Sequence, residues 1–276
     1  MTAVNLKNVL EPASKQGYAL AGLVVLGWED ALAYVEAAEE TKIPIILQAG
    51  PGCRQHTPIP ILGKMFRYLA DNSSVSIVCH IDHGYTVEEC IQGIDSGFTS
   101  VMFDGSKLSI SENIDLTALV AEKAHASNVS VEGEVGFVGY SKDVNSKGTD
   151  PLDAKRFSEE SGADALAISV GNTHLQTTKI SNINFDLVRS IEEVTNLPLV
   201  LHGSSGLPTD TRKKLAKNTM VSKFNIGTEI RMIFGETLRK KIKLDPNIYD
   251  RIEFLNATIR DVKIITSKII KEFGPK

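Results

Sequence analysis

Cysteine is scarce in this chain: Cys53, Cys79 and Cys90 are the only three among 276 residues. An odd number without CxxC spacing excludes a disulfide framework and points to free thiols in a reducing compartment. Long apolar runs are missing too. None approaches the roughly 20 residues that span a bilayer, so no membrane association is expected. Positive charge is not in excess, with 30 Lys and Arg against 34 Asp and Glu and a net charge of -4. That removes the electrostatic footprint of a nucleic-acid binder. The one basic cluster, 239–243, reads as a solvated helix end. The opening Met1-Thr2-Ala3-Val4-Asn5-Leu6 has neither the basic nor the apolar segment of a secretory signal, so the expected location is cytoplasmic. No linker, repeat or low-complexity stretch divides the chain, and one domain over 1–276 is expected.

Short apolar runs alternate with amphipathic segments from end to end. Strands are expected at 19–25, 43–47, 75–81, 100–103, 129–135, 165–170, 199–202 and 222–226. Helical patterns fall near 28–41, 59–71, 86–96, 111–127, 153–161, 185–195, 209–218 and 229–243. Strand–helix alternation favours a parallel sheet. Eight such units predict an α/β fold of the (β/α)8 TIM-barrel type rather than an open doubly wound sheet. A further helical segment, 251–273, exceeds the eight repeats and is expected to cap the barrel or serve a subunit interface. The loops 136–150 and 171–184 are long and polar, as lids are.

Three of the expected strands end in a histidine: Asp82-His83-Gly84, Gly171-Asn172-Thr173-His174 and His202-Gly203-Ser204-Ser205-Gly206. In a barrel all strand C-termini share one mouth. Neutral imidazole is a favoured zinc ligand, and three protein ligands with an open fourth position describe a catalytic zinc site. His83, His174 and His202 are therefore the expected ligands. His56, His80 and His125 read as structural or surface residues. Glu132 and Glu134 are two apart on a strand and share a face. Buried there, they need either a cation, with Asp104 close by, or lysine and backbone donors. The segments 203–206 and 225–228 each lead from neighbouring strands into a helix, an arrangement that binds phosphate.

These motifs, with Ser100-Val101-Met102-Phe103-Asp104-Gly105-Ser106, Val131-Glu132-Gly133-Glu134-Val135-Gly136 and Lys223-Phe224-Asn225-Ile226-Gly227-Thr228, resemble the class II, metal-dependent ketose-bisphosphate aldolases of the fructose- and tagatose-bisphosphate group. The resemblance implies Zn2+ on His83, His174 and His202, a second divalent or monovalent cation near Asp104 and Glu134, and Asp82 as proton donor. It implies that Gly203, Ser204, Ser205, Asn225, Ile226, Gly227 and Thr228, with Gly171 and Lys179, hold a phosphorylated sugar. Dihydroxyacetone phosphate is then one product. It also implies a homodimer or homotetramer, and an arginine for a second phosphate, for which Arg260 is chosen and Lys263 competes. Four positions depart from the family pattern. Val24 stands for Asn, Leu175 for Gly, Gly227 for Asp or Ala, and Lys142 for the glutamate of the mobile loop. Asp143, beside Lys142, is the substitute base. A related aldolase acting on another carbonyl substrate, or a non-catalytic sugar-phosphate-binding homologue, is the alternative.

Overall fold

The computed structural model describes residues 2–139, 146–180 and 182–275. Eight parallel strands close into one barrel in sequence order: β1 Leu20–Val24, β2 Ile45–Ala49, β3 Ile77–Gly84, β4 Ser100–Phe103, β5 Ser130–Val135, β6 Ala165–Ile168, β7 Leu199–Leu201 and β8 Val221–Ile226. Every strand expected from the sequence is present. Their residues are almost all buried, as parallel strands wrapped by helices must be.

The barrel interior is unusually polar toward one end. Gln48, His80, Glu132, His202 and Lys223 are all fully buried. Room for them comes from Gly22 on β1. A Cβ there would stand 1.8 Å from the Gln48 Oε1 and 2.8 Å from the Asn225 Oδ1.

Helices form the outer ring, and their ends carry the expected signals. Thr86 caps the α5 helix, Val87–Asp95, by accepting from the Glu89 amide. Ser109 and Glu112 form a capping box at the α6 helix, Ile110–Ala126. Two helices were not anticipated. The first, α1 Leu6–Gln16, buries Leu6, Val9, Leu10 and Ala13 against the starts of β5 and β8 and closes the barrel's lower end. Its apolar spacing is helical, but no strand precedes it, so a search for strand–helix units passes over it. The second, α3 Pro51–His56, is one and a half turns long and follows β2 directly.

The terminal segment folds as one helix, α11 Arg251–Phe273. It does not lie across the mouth. It packs between α2 (Trp28–Thr41) and α10 (Thr228–Leu244), filling the outer ring between the last and first units. Its final residue stacks edge-on against Phe224 of β8, with ring centroids 4.9 Å apart.

Candidate metal and substrate site

The tip of β3 is where the backbone departs from a regular strand. Consecutive strand residues point to opposite faces, so Asp82 and His83 cannot both face the mouth from regular backbone. The register with β4 slips between Ile81 and Gly84, and His83 adopts φ 54°. This bulge turns both side chains into the same cavity. Left-handed backbone at a non-glycine residue costs about 1–2 kcal/mol, and here it assembles the site. Arg54 of α3 holds the bulge in place. Its guanidinium donates to the carbonyls of Asp82 (2.6 Å) and His83 (2.7 Å) and to that of Ala49, while its Nε pairs with Glu89 at 2.8 Å.

His83, His174 and His202 each bring a ring nitrogen into one group whose members lie within 4.8 Å of one another. The His202 Nδ1 is 3.0 Å from the His83 Nε2. The outward-facing nitrogens are held by acids. The His83 Nδ1 meets the Asp104 Oδ2 at 2.7 Å, and the His202 Nε2 meets the Glu132 Oε1 at 3.1 Å. Carboxylates on the far side of ligating imidazoles fix their orientation and raise their basicity.

Burial and the charge of His83 lower His174 to about 4, and the same two causes hold His202 well below its ordinary value. Both rings are thus neutral, with lone pairs to offer. Burial opposes charge on His83 as well, but Asp82, Asp104 and Glu134 outweigh it and raise His83 to about 9. Glu134 is the companion anomaly. Burial and the charge of Asp104 push it up to about 8, and its Oε2 is buried without a hydrogen-bond partner. That oxygen lies 3.7–3.8 Å from the ring nitrogens of His202 and His83. His83, Asp104 and Glu134 form a second group spaced for a cation. The neutral imidazoles of His174 and His202 converging with His83 beside an unsatisfied carboxylate are a donor set that fits a divalent ion such as zinc.

Glu132 takes the other course. Its Oε2 accepts from the Lys223 Nζ at 2.6 Å, and Lys223 also reaches the His80 Nε2 at 3.3 Å. His80 Nδ1 ends the chain at the Ser100 Oγ, 2.8 Å away. Glu132 is therefore a supporting residue paired with lysine, and His80 is structural as expected. His125 pairs with Asp164 on the outer surface, and His56 is exposed on α3. Lys223 and Arg54 were missed as site residues. The signal available for each was a single cation in, or just past, a barrel strand, and spacing alone does not say what it faces.

The cavity at the mouth encloses about 290 Å³ and is lined by Asp82, His83, His174, Gly203, Ser205, Asn225, Gly227 and Thr228 among others. The Asp82 Oδ1 accepts from the Asn225 Nδ2 at 3.2 Å. The Gly227 amide donates to the Ser205 Oγ at 3.0 Å, which ties the ends of β7 and β8 together. Gly203 has φ 65°, and a Cβ there would stand 2.2 Å from the Thr173 carbonyl oxygen. Ser204 is turned inward onto the Leu201 carbonyl. Ile226 is a buried strand residue, not a cavity wall. Gly171, at φ 101°, shapes the loop that carries His174. Lys179 is half-exposed and paired with Glu229 at 2.7 Å. Arg260 is exposed on α11 and is absent from the cavity lining, where the arginine is Arg231. Asp143 and Lys142 lie outside the described residues. A larger groove of about 1070 Å³ runs beside the mouth between α3 and α5, but among the described residues it holds no group of metal-spaced ligands.

The comparisons agree with this geometry. The family described as "Fructose-bisphosphate aldolase class-II" matches residues 4–276. The chain is 36% identical to the 6-phospho-5-dehydro-2-deoxy-D-gluconate aldolase of Bacillus licheniformis, covering 99% of this chain and 96% of that one. It is 34% identical to the fructose-bisphosphate aldolase of Geobacillus stearothermophilus, covering 99% and 98%. The crystal structure of the YdjI aldolase from Escherichia coli K12 superposes with a TM-score of 0.87 at 28% identity, covering 98% of this chain and 97% of that one. This chain belongs to the class II fructose-bisphosphate aldolase family.

Proposed function

We propose that this protein is a zinc-dependent aldolase that cleaves or forms a ketose phosphate, with dihydroxyacetone phosphate as one product. The observation that carries the reading is Asp82 sharing one cavity with His83 and His174, whose ring nitrogens converge with that of His202. Those three histidines would hold the ion, with Glu134 and Asp104 beside them for a second cation. Zinc, when bound, supplies Lewis acidity toward the substrate carbonyl.

The remaining work falls to the chain's own residues. Asp82, oriented by Asn225, holds or accepts the proton of the hydroxyl next to the bond that breaks. The phosphate is received where Gly203–Ser205 and the amino-terminal turn of α10 meet, because helix N-termini present unpaired amides to anions. Asp143 removes the C–H proton in the reverse direction. Gly171 and Lys179 belong to the same phosphate loop system. A homodimer or homotetramer in the cytoplasm completes the reading. Exposed Leu244, Tyr249 and Ile252 at the turn between α10 and α11 supply an apolar surface for it.

Val24 and Leu175, both in the cavity lining, together with the likeness to a deoxygluconate-phosphate aldolase, favour a carbonyl partner other than that of fructose 1,6-bisphosphate. The test is triose phosphate release from a panel of ketose phosphates, with and without chelator, alongside metal analysis. About one equivalent of zinc is expected, with most of it lost in His202→Ala. A zinc-replete protein that is protected from heat by sugar phosphates but turns over none of them would make it a binding protein instead.

A further inference from the structure

The catalytic cavity and the larger groove between α3 and α5 share two lining residues, Pro51 and Tyr85. The two spaces, about 290 Å³ and about 1070 Å³, therefore meet at these side chains. Pro51 opens α3 directly after β2, and Tyr85 is the first residue past β3. In a closed barrel of eight strands in sequence order, β3 lies diametrically opposite β7. A substrate whose phosphate sits at the corner of β7 and β8 and which spans the mouth thus directs its other end towards Tyr85. The Tyr85 ring is half-exposed and tilted 29° from that of His83, with centroids 6.4 Å apart. Its backbone amide donates to the Glu89 Oε2 at 3.0 Å, which fixes the chain where it leaves the site.

The groove beyond Tyr85 has a mixed lining. Pro58, Ile59 and Ile91 supply apolar wall. Gln55 of α3 and Gln92 of α5 add exposed amides, which both donate and accept. Glu88 and Asp95 add exposed carboxylates that make no ion pair among the described residues. The one Arg or Lys among the described lining residues is Arg54, and it is engaged by three carbonyls and Glu89 with its side chain only 4% exposed. An anionic tail would meet carboxylates here and no free cation. A hydrocarbon tail would leave the amides and acids without partners. An uncharged, hydroxylated chain suits both kinds of wall. Its hydroxyls donate to the carboxylates and exchange hydrogen bonds with the amides, and its C–H edges pack on the Tyr85 ring and the prolines.

We propose that this groove is a subsite for the tail of the carbonyl half, and that the preferred substrates are ketose 1-phosphates longer than six carbons whose uncharged, hydroxylated tail runs past Tyr85 between α3 and α5. The proposal rests on the aldolase reading above and names the substrate class of that same site. A six-carbon ketose has only three carbons beyond the bond that breaks, so it ends within the catalytic cavity. Each further hydroxylated carbon carries the chain over Tyr85 and into reach of Gln55, Glu88 and Gln92.

The test uses the full, zinc-replete chain in the cleavage direction, with triose phosphate release as the readout. Fructose 1-phosphate, sedoheptulose 1-phosphate and an eight-carbon ketose 1-phosphate are compared, each with and without a second phosphate on its last carbon. From six to eight carbons kcat/KM is expected to rise by about tenfold or more, the scale of two neutral hydrogen bonds. The second phosphate on the eight-carbon substrate should lower kcat/KM by about threefold or more, and further at low salt, because exposed carboxylates are screened by ions. Glu88→Gln with Asp95→Asn should remove that penalty. Gln92→Trp, which fills the groove from α5, should bring the eight-to-six ratio to within about twofold of one, mainly through KM, and Gln55→Trp makes the same test from α3. Zinc content and melting temperature are measured on each variant. A parent whose ratio is one or less, or a ratio untouched by both tryptophans, would overturn the subsite. A parent that gains from the second phosphate would overturn the uncharged tail. No cleavage of any ketose phosphate would instead sink the aldolase reading, and this proposal with it.

Discussion

Removing the charge of Lys223 tests the buried network that supports the site. Lys223 and Glu132 are both fully buried, 2.6 Å apart, inside a barrel where water cannot replace either. Lys223→Met keeps nearly the same side-chain length and volume, so little cavity is created. What changes is that the Glu132 Oε2 loses its cation while its Oε1 keeps the His202 contact. Breaking one partner of a buried pair costs about 3–5 kcal/mol, because the survivor is an uncompensated buried charge. For a chain of 276 residues the unfolding entropy is about 0.6 kcal/mol per kelvin, so the melting temperature should fall by about 5–8 °C. The double variant Lys223→Met with Glu132→Gln should recover most of that loss. A glutamine at 132 carries no charge, can accept from the His202 Nε2, and can offer its amide to the His80 Nε2, which lies 3.7 Å from the present Oε2. The assay is thermal or urea unfolding followed by circular dichroism at one fixed zinc concentration, since bound metal adds stability by mass action. A single variant as stable as the parent, or a double variant less stable than the single, would refute the reasoning.

Three other outcomes are expected. Asp82→Asn should retain zinc by metal analysis yet lower kcat for triose phosphate release about 10²-fold or more, the scale of a positioned acid or base; full turnover would move the proton elsewhere. Gly203→Ala places a Cβ 2.2 Å from the Thr173 carbonyl at φ 65°, so unfolding measurements should show a loss of more than about 2 kcal/mol, together with weakened zinc retention because the His174 segment must shift. Burial pushes the thiols of Cys79 and Cys90 up to about 12 and that of Cys53 to about 11, so a thiolate-directed alkylating reagent should label the native protein far more slowly than the urea-unfolded chain. Rapid labelling of the native protein at neutral pH would contradict that.

Much of this molecule was legible in its sequence. Alternating apolar runs and amphipathic segments fixed the eight strands, because parallel strands covered on both faces tolerate little polarity. The exceptions to that apolarity, at the strand ends, therefore marked His83, His174 and His202 as a group before any geometry was known. The carboxylates of Glu132 and Glu134 could be placed on a common face but not told apart. Only the closed barrel did that, by bringing Lys223 of β8 across to Glu132 and leaving the Glu134 Oε2 without a partner. Lys223 and Glu132 are 91 residues apart in the chain, and no local pattern encodes which lysine meets which acid. The bulge at His83 was equally invisible, since regular strand geometry would have sent Asp82 and His83 to opposite faces; its φ depends on the Arg54 contacts and the register with β4. The same holds for Arg231 against Arg260. Arg231, Arg239, Arg251 and Arg260 all follow β8, and only the folded chain places Arg231 in the cavity lining and leaves Arg260 facing solvent. The sequence by itself determined which residues could do chemistry, because burial makes polar residues in apolar strands conspicuous; tertiary packing decided which of them share a charge, a proton or a wall, because those partnerships are made across the barrel rather than along the chain.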